Sequence, residues 1–189
     1  LLILLLNIVF ESYSSWVQVG QDIDGEYSND RSGTSISLSK DGNILAIGAI
    51  SNDDNGVDAG HVRVYQWNGS IWEQLGEDID GFSGDSSGTS ISLSEDGMTI
   101  AVGSPTGFGW GMDTGVIRVY QWNGLSWVQM GNDISGNGVY FGNKVSLSSD
   151  GLVLAVGGMG STGSDPYTSL FGVIRVYQWN GLSWVQMGN

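Results

Sequence analysis

From residue 15 onward, short runs of alternating apolar and polar residues return three times. Residues 35–39, 90–94 and 144–148 set Ile, Leu or Val between small polar residues, the period of a half-buried strand. Asp-Gly pairs follow at 41–42, 96–97 and 150–151, where glycine supplies the left-handed backbone of a tight turn. A second apolar run ends in glycine (44–48, 99–103, 152–157), and after a variable loop a third leads to tryptophan (62–67, 117–122, 174–179). Along the third run Val62 and Val64 fall on one face, Tyr65 and Trp67 on the other.

Each third run meets Asn-Gly, at 68–69, 123–124 and 180–181, and then a short strand containing Trp72, Trp127 or Trp184. Asn-Gly between β-prone runs predicts a two-residue type I′ hairpin. That register places Tyr65 opposite Trp72, Tyr120 opposite Trp127 and Tyr177 opposite Trp184.

Trp16, Trp72, Trp127 and Trp184 are 56, 55 and 57 residues apart, and no helical period interrupts them. The prediction is an all-β chain of β-propeller blades, three four-stranded antiparallel repeats of about 55 residues. Because closed rings take about four to eight blades, these are expected to be part of a larger propeller, whose remainder would be a partner. The repeats place an orphan fourth strand at 15–24 and blades at 25–79, 80–134 and 135–189. Asp-Ile-Asp-Gly at 22–25 and 78–81, varied to Asp133-Ile134-Ser135-Gly136, is expected to turn or cap the passage between blades. The third copy stops at Gly188-Asn189, before that motif, so the reading is of a chain cut mid-repeat.

Residues 1–10 are almost wholly apolar yet too short to span a bilayer as a helix, and Ser12 and Ser14 suit the −3 and −1 positions of a cleavage site. Residues 1–14 are therefore read as a signal-peptide remnant. The protein is expected to be secreted or at the cell surface, with no membrane insertion of the mature domain.

Composition narrows the partners. The chain of 189 residues carries a formal charge of −14, which repels phosphate backbones and anionic lipid, so nucleic acid is excluded as a partner. It has 31 Gly, 8 Trp and 7 Tyr, a mixture of tight turns and packed aromatics rather than disorder. Without cysteine there is no disulfide, thiolate nucleophile or Cys-ligated zinc.

No residue set for catalysis is legible. His61 is the one histidine, so triads and metal sets of two or more histidines lack members. Asp41, Asp96 and Asp150 recur as turn residues. Arg63, Arg118 and Arg175 recur beside tyrosine and are expected to stack on aromatics or pair with an acid across the blade. The segment 52–58 holds Asp53, Asp54 and Asp58 with two asparagines, an oxygen-rich loop that makes these three the calcium candidates. The corresponding loops offer one carboxylate each, Asp113 and Asp165. Asn68-Gly69-Ser70 is formally an N-glycosylation sequon, absent from the other copies, where leucine takes the third place.

The order Gly-x-Ser-Ile-Ser-Leu-Ser-x-Asp-Gly, then Leu45-Ala46-Ile47-Gly48-Ala49, then Gly60-His61-Val62-Arg63-Val64-Tyr65 resembles the FG-GAP repeat, the family that includes the propeller of integrin α subunits. Phe-Gly itself stands at Phe141-Gly142, with Ser32-Gly33 and Ser87-Gly88 in its place earlier. The family's calcium-binding loop is replaced by bare turns at 40–42, 95–97 and 149–151, so no calcium site carries over from the resemblance. What it implies is a non-catalytic binding or adhesion scaffold, with a protein or glycan ligand at the loop face. A passive structural array stands second and a polysaccharide-active hydrolase or lyase third.

Overall fold

Asn68, Asn123 and Asn180 organise their hairpins differently from the Asn-Gly rule. Positive φ falls on Gly69, Gly124 and Gly181 (94–95°) and not on the asparagines. Each asparagine Oδ1 instead accepts two amides, those of Ser70 and Ile71 at 2.9 and 3.0 Å in the first copy. The same pairs of bonds hold the loops after Asn123 and Asn180. The turn is thereby a four-residue loop, and the register moves by two. Trp67 faces Trp72, Trp122 faces Trp127 and Trp179 faces Trp184, while Tyr65, Tyr120 and Tyr177 face glutamines. This corrects the tyrosine–tryptophan pairing. The indole pairs lie 5.4–5.5 Å apart, tilted by 49–53°.

The computed structural model describes residues 16–106, 108–109, 112–113, 115–136, 140–158 and 172–188. The segment 1–14 and Asp165 lie outside them, as does the side chain of Asp113. The chain is all-β and forms three antiparallel sheets, the blades of a β-propeller. The first runs β1 (Ser32–Leu38), β2 (Ile44–Ala49), β3 (His61–Trp67) and β4 (Trp72–Gln74), with β5 (Ile79–Asp80) also on β3. The second has β6 (Ser90–Leu93), β7 (Thr99–Ser104), β10 (Val116–Trp122), β11 (Trp127–Gln129) and β12 (Ile134–Ser135). A small ribbon of β8 (Phe108–Gly109) and β9 (Met112–Asp113) lies between its β7 and β10. The third has β13 (Phe141–Leu147), β14 (Val153–Gly158), β15 (Val173–Trp179) and β16 (Trp184–Gln186). Among the described residues no helix is long and apolar enough to cross a membrane.

The fourth strand of the first two sheets is split, a departure from four plain strands. Gly76 turns away at φ +82°, where a Cβ would stand 2.6 Å from the Trp122 ring. The chain then returns to pair Ile79 with Val62 and Asp80 with His61. Asp-Ile-Asp-Gly is thus part of the sheet, and Ile79 enters the core. Residues 16–24, expected as a fourth strand, pair with no strand among the described residues. They still occupy the same place against the next sheet. The Trp72 Nε1–H donates to the Val19 carbonyl at 3.1 Å, as Trp127 does to Leu75 and Trp184 to Met130.

Two apolar seams hold the sheets face to face. Ile44, Ala46, Val62 and Val64 meet Ile91, Leu93, Ile100 and Val102 in the first. Ala101, Ile117 and Val119 meet Phe141, Leu154 and Val156 in the second. The serines of the first strands stitch neighbouring sheets. Ser37 Oγ accepts the Leu93 amide, Ser92 Oγ accepts the Leu147 amide, and Ser90 Oγ donates to the Gly142 carbonyl.

Candidate functional site

The short turns and the long loops lie at opposite ends of the strands. At the turn end, Ser39 Oγ donates to Asp41 Oδ1 at 2.6 Å, and the Asn43 amide donates to the same oxygen at 3.0 Å. Ser94 with Asp96 and Ser148 with Asp150 repeat the arrangement. The serine hydroxyl, then the turn amide, holds the Asp41 and Asp150 carboxyls below their ordinary range. These recurring carboxylates are turn braces. A shallow groove of about 690 Å³ runs along them, lined by Lys40, Asp41, Glu95, Asp96 and Ser149. Lys40 bridges it to Glu95 as a solvent-exposed pair, a weak contact.

At the loop end, Asp53, Asp54 and Asp58 are exposed. Asp53 Oδ1 accepts the Asp58 amide at 2.7 Å, and the Asp54 amide donates to Asn52 Oδ1 at 3.0 Å. Asn52 is buried and reaches Asp30 Oδ2 at 3.0 Å, while Asn55 Nδ2 donates to the Gly81 carbonyl at 2.7 Å. The loop is therefore pinned to its own blade and to the start of the next.

The recurring arginines lie beneath this end and behave as braces. Arg118 is buried, with Nη1 at 2.6 Å from Asp85 Oδ2, Nε at 3.1 Å from Asp133 Oδ2, and its guanidinium 4.9 Å from the Phe82 ring centre. Burial works against its charge, but the Asp85 and Asp133 carboxylates outweigh that and hold the guanidinium above its ordinary value. Arg175 stands 5.0 Å from the Phe141 ring centre. The expected stacking and acid pairing are both present.

The first blade spends its arginine differently. Arg63 Nη2 donates to the Asp24 carbonyl at 2.9 Å, and Nη1 lies 3.6 Å from Glu26 Oε1. The carboxylate equivalent to Asp133 is Asp78, and it faces His61 instead. His61 Nδ1 is 3.3 Å from Asp78 Oδ2 and 3.9 Å from Glu26 Oε2. Glu26, His61 and Asp78 are, among the described residues, three metal-ligating side chains brought together. Asp80, opposite His61 on β5, adds negative charge; burial, aided by Asp78, pushes its carboxyl up while His61 opposes. His61 has no second histidine to pair with along the sequence. Its partners come from the distant segments 22–26 and 78–81, and no local spacing marks them.

Residues 23–65 match the model of the FG-GAP repeat. No curated protein sequence matches the chain. Among solved structures the chain is similar to a candidate 6-phosphogluconolactonase from Bacteroides uniformis, at 12% identity and TM-score 0.55, over 82% of this chain and 39% of that one. A thermostable family-43 glycoside hydrolase is similar at 15% identity and TM-score 0.48, over 82% of this chain and 56% of that one. The chain spans about two-fifths of the length of the former and just over half of the latter. At 12% identity the likeness to the former is one of fold.

Proposed function

We propose, from the premise that residues 23–65 are an FG-GAP repeat, that the chain is a non-catalytic binding scaffold, extracellular or on a cell surface, contacting a protein or glycan through its loop end. One observation supports this reading most. The serine–aspartate turn pairs and the hairpin asparagines that recur in every blade are occupied with internal partners, whereas the loop carrying Asp53, Asp54 and Asp58 presents exposed groups. Repetition builds the frame, and the non-repeated loops are free to differ. The fold neighbour's name is a property of that protein and assigns no residue here a catalytic role.

The test is binding of the full chain to a defined glycan array and to immobilised matrix proteins. The comparison is the variant Asp53→Asn/Asp54→Asn/Asp58→Asn, whose carboxamides still accept the loop's internal hydrogen bonds. The expected result is a discrete ligand whose binding falls at least about tenfold in the variant, with an unchanged melting curve. Equal binding by both chains, or turnover of an arrayed glycan, overturns the reading.

A further inference from the structure

We propose that Glu26, His61 and Asp78 form a binding site for a divalent transition-metal ion, with zinc the natural probe. His61 is 1% exposed, and its Nδ1 is buried with no hydrogen-bond partner. A sequestered imidazole nitrogen of this kind needs something to bind, and what faces it is two carboxylates. The ligand atoms of the three side chains all lie within 4.8 Å of one another.

The distances match the edges of a tetrahedral metal site. Zinc–nitrogen and zinc–oxygen bonds of about 2.0–2.2 Å set at tetrahedral angles hold ligand atoms roughly 3.3–3.5 Å apart. The separation of Nδ1 from Asp78 Oδ2, 3.3 Å, is that edge, and the contact is too poorly aligned to be an N–H···O bond. Glu26 Oε2, at 3.9 Å, belongs to a side chain 34% exposed and closes the edge by a small rotation.

The outer groups already orient the ligands. Gln74 Nε2 donates to Asp78 Oδ1 at 2.6 Å, and Arg63 Nη1 lies near Glu26 Oε1, so Asp78 Oδ2 and Glu26 Oε2 are the oxygens left toward His61. Partial exposure of both carboxylates leaves room for entry and for water to complete the coordination sphere. An imidazole donor with two carboxylates suits zinc, cobalt or nickel and suits calcium poorly, because calcium takes oxygen ligands throughout. The site belongs to the first blade. Val116 and Val173 stand at the place of His61, and in the second blade Arg118 occupies the carboxylate that matches Asp78.

The experiment uses the full chain stripped with chelator and dialysed. Zinc is titrated by calorimetry, and cobalt(II) by its visible absorption. The expected result is one equivalent of zinc bound, a cobalt band of low symmetry, and no displacement by millimolar calcium. Glu26→Gln, a surface change that leaves the core intact, is expected to weaken zinc at least about tenfold, and Asp78→Asn and His61→Gln more. Asp53→Asn/Asp54→Asn is expected to leave zinc binding unchanged. Absence of binding, binding that survives Glu26→Gln and Asp78→Asn, or binding lost in Asp53→Asn/Asp54→Asn overturns the site. In the first of these outcomes His61 is a buried polar neighbour of Asp78 and nothing more.

Discussion

Tyr120 lies against the Arg118 cluster, where apolar packing and acids surround its phenol. Burial, with Asp133, Asp85 and Asp80 adding and Arg118 opposing, pushes its pKa up to about 12. An unfolded tyrosine titrates near 10, so below that pH both states are neutral and its contribution to stability is whole. Between about pH 10 and 12 the unfolded chain loses its proton first, and stability drains away; above the folded pKa the loss levels off. The expected difference between wild type and Tyr120→Phe across that window is at most about 2–3 kcal/mol. Urea melts at pH 9, 10 and 11 measure it, and parallel curves for the two proteins would refute the argument. At the same scale the asparagine carboxamides explain a wrong expectation. Asn-Gly signals a hairpin correctly, but Asn68 closes it by accepting two amides with its side chain, which sets the register two residues away.

Strands meet across sheets at glycine. In β7, a Cβ on Gly103 would stand 2.1 Å from the Gly142 carbonyl oxygen and 2.4 Å from Ser90 Oγ. The same position in β14, Gly157, has its nearest neighbour at 3.6 Å. Backbone on one side and a stitching serine on the other cannot give way, so Gly103→Ala is expected to destabilise by roughly 2–3 kcal/mol or more. Gly157→Ala is expected to stay within about 1 kcal/mol, the propensity change alone. Chemical denaturation of the two variants decides it, and equal effects would show that the sheet contact is not what requires glycine. This pair also marks a limit of sequence reading. Gly48, Gly103 and Gly157 look alike along the chain, and only the neighbouring sheet separates the crowded ones from the roomy one.

Across the molecule, 20 acidic residues face 6 basic ones, and the arginines among them are largely buried or stacked as braces. The surface therefore repels itself. Raising NaCl from about 10 to 150 mM shortens the Debye length to about 8 Å and is expected to raise the melting temperature. The exposed Lys40–Glu95 pair weakens under the same salt but counts for little. A melting temperature that falls with salt would mean that attractive pairs, not self-repulsion, dominate the surface.

Period-two runs, Asp-Gly and Asn-Gly pairs and a tryptophan spacing of about 55 residues were enough to establish an all-β chain of repeated four-stranded sheets, because strand period and turn chemistry are local properties of the backbone. The recurring arginines were likewise legible as braces from their place beside tyrosine. Stacking of the sheets decided the rest. Ile91 and Leu93 are buried while Ile36 and Leu38, in the same motif, are 69% and 56% exposed, since among the described residues another sheet covers only the former pair. His61 has the same history: a lone histidine in sequence, it gains Glu26 and Asp78 because β5 and the segment before β1 converge on the start of β3. Such proximity depends on how distant segments pack, and no spacing along the chain encodes it.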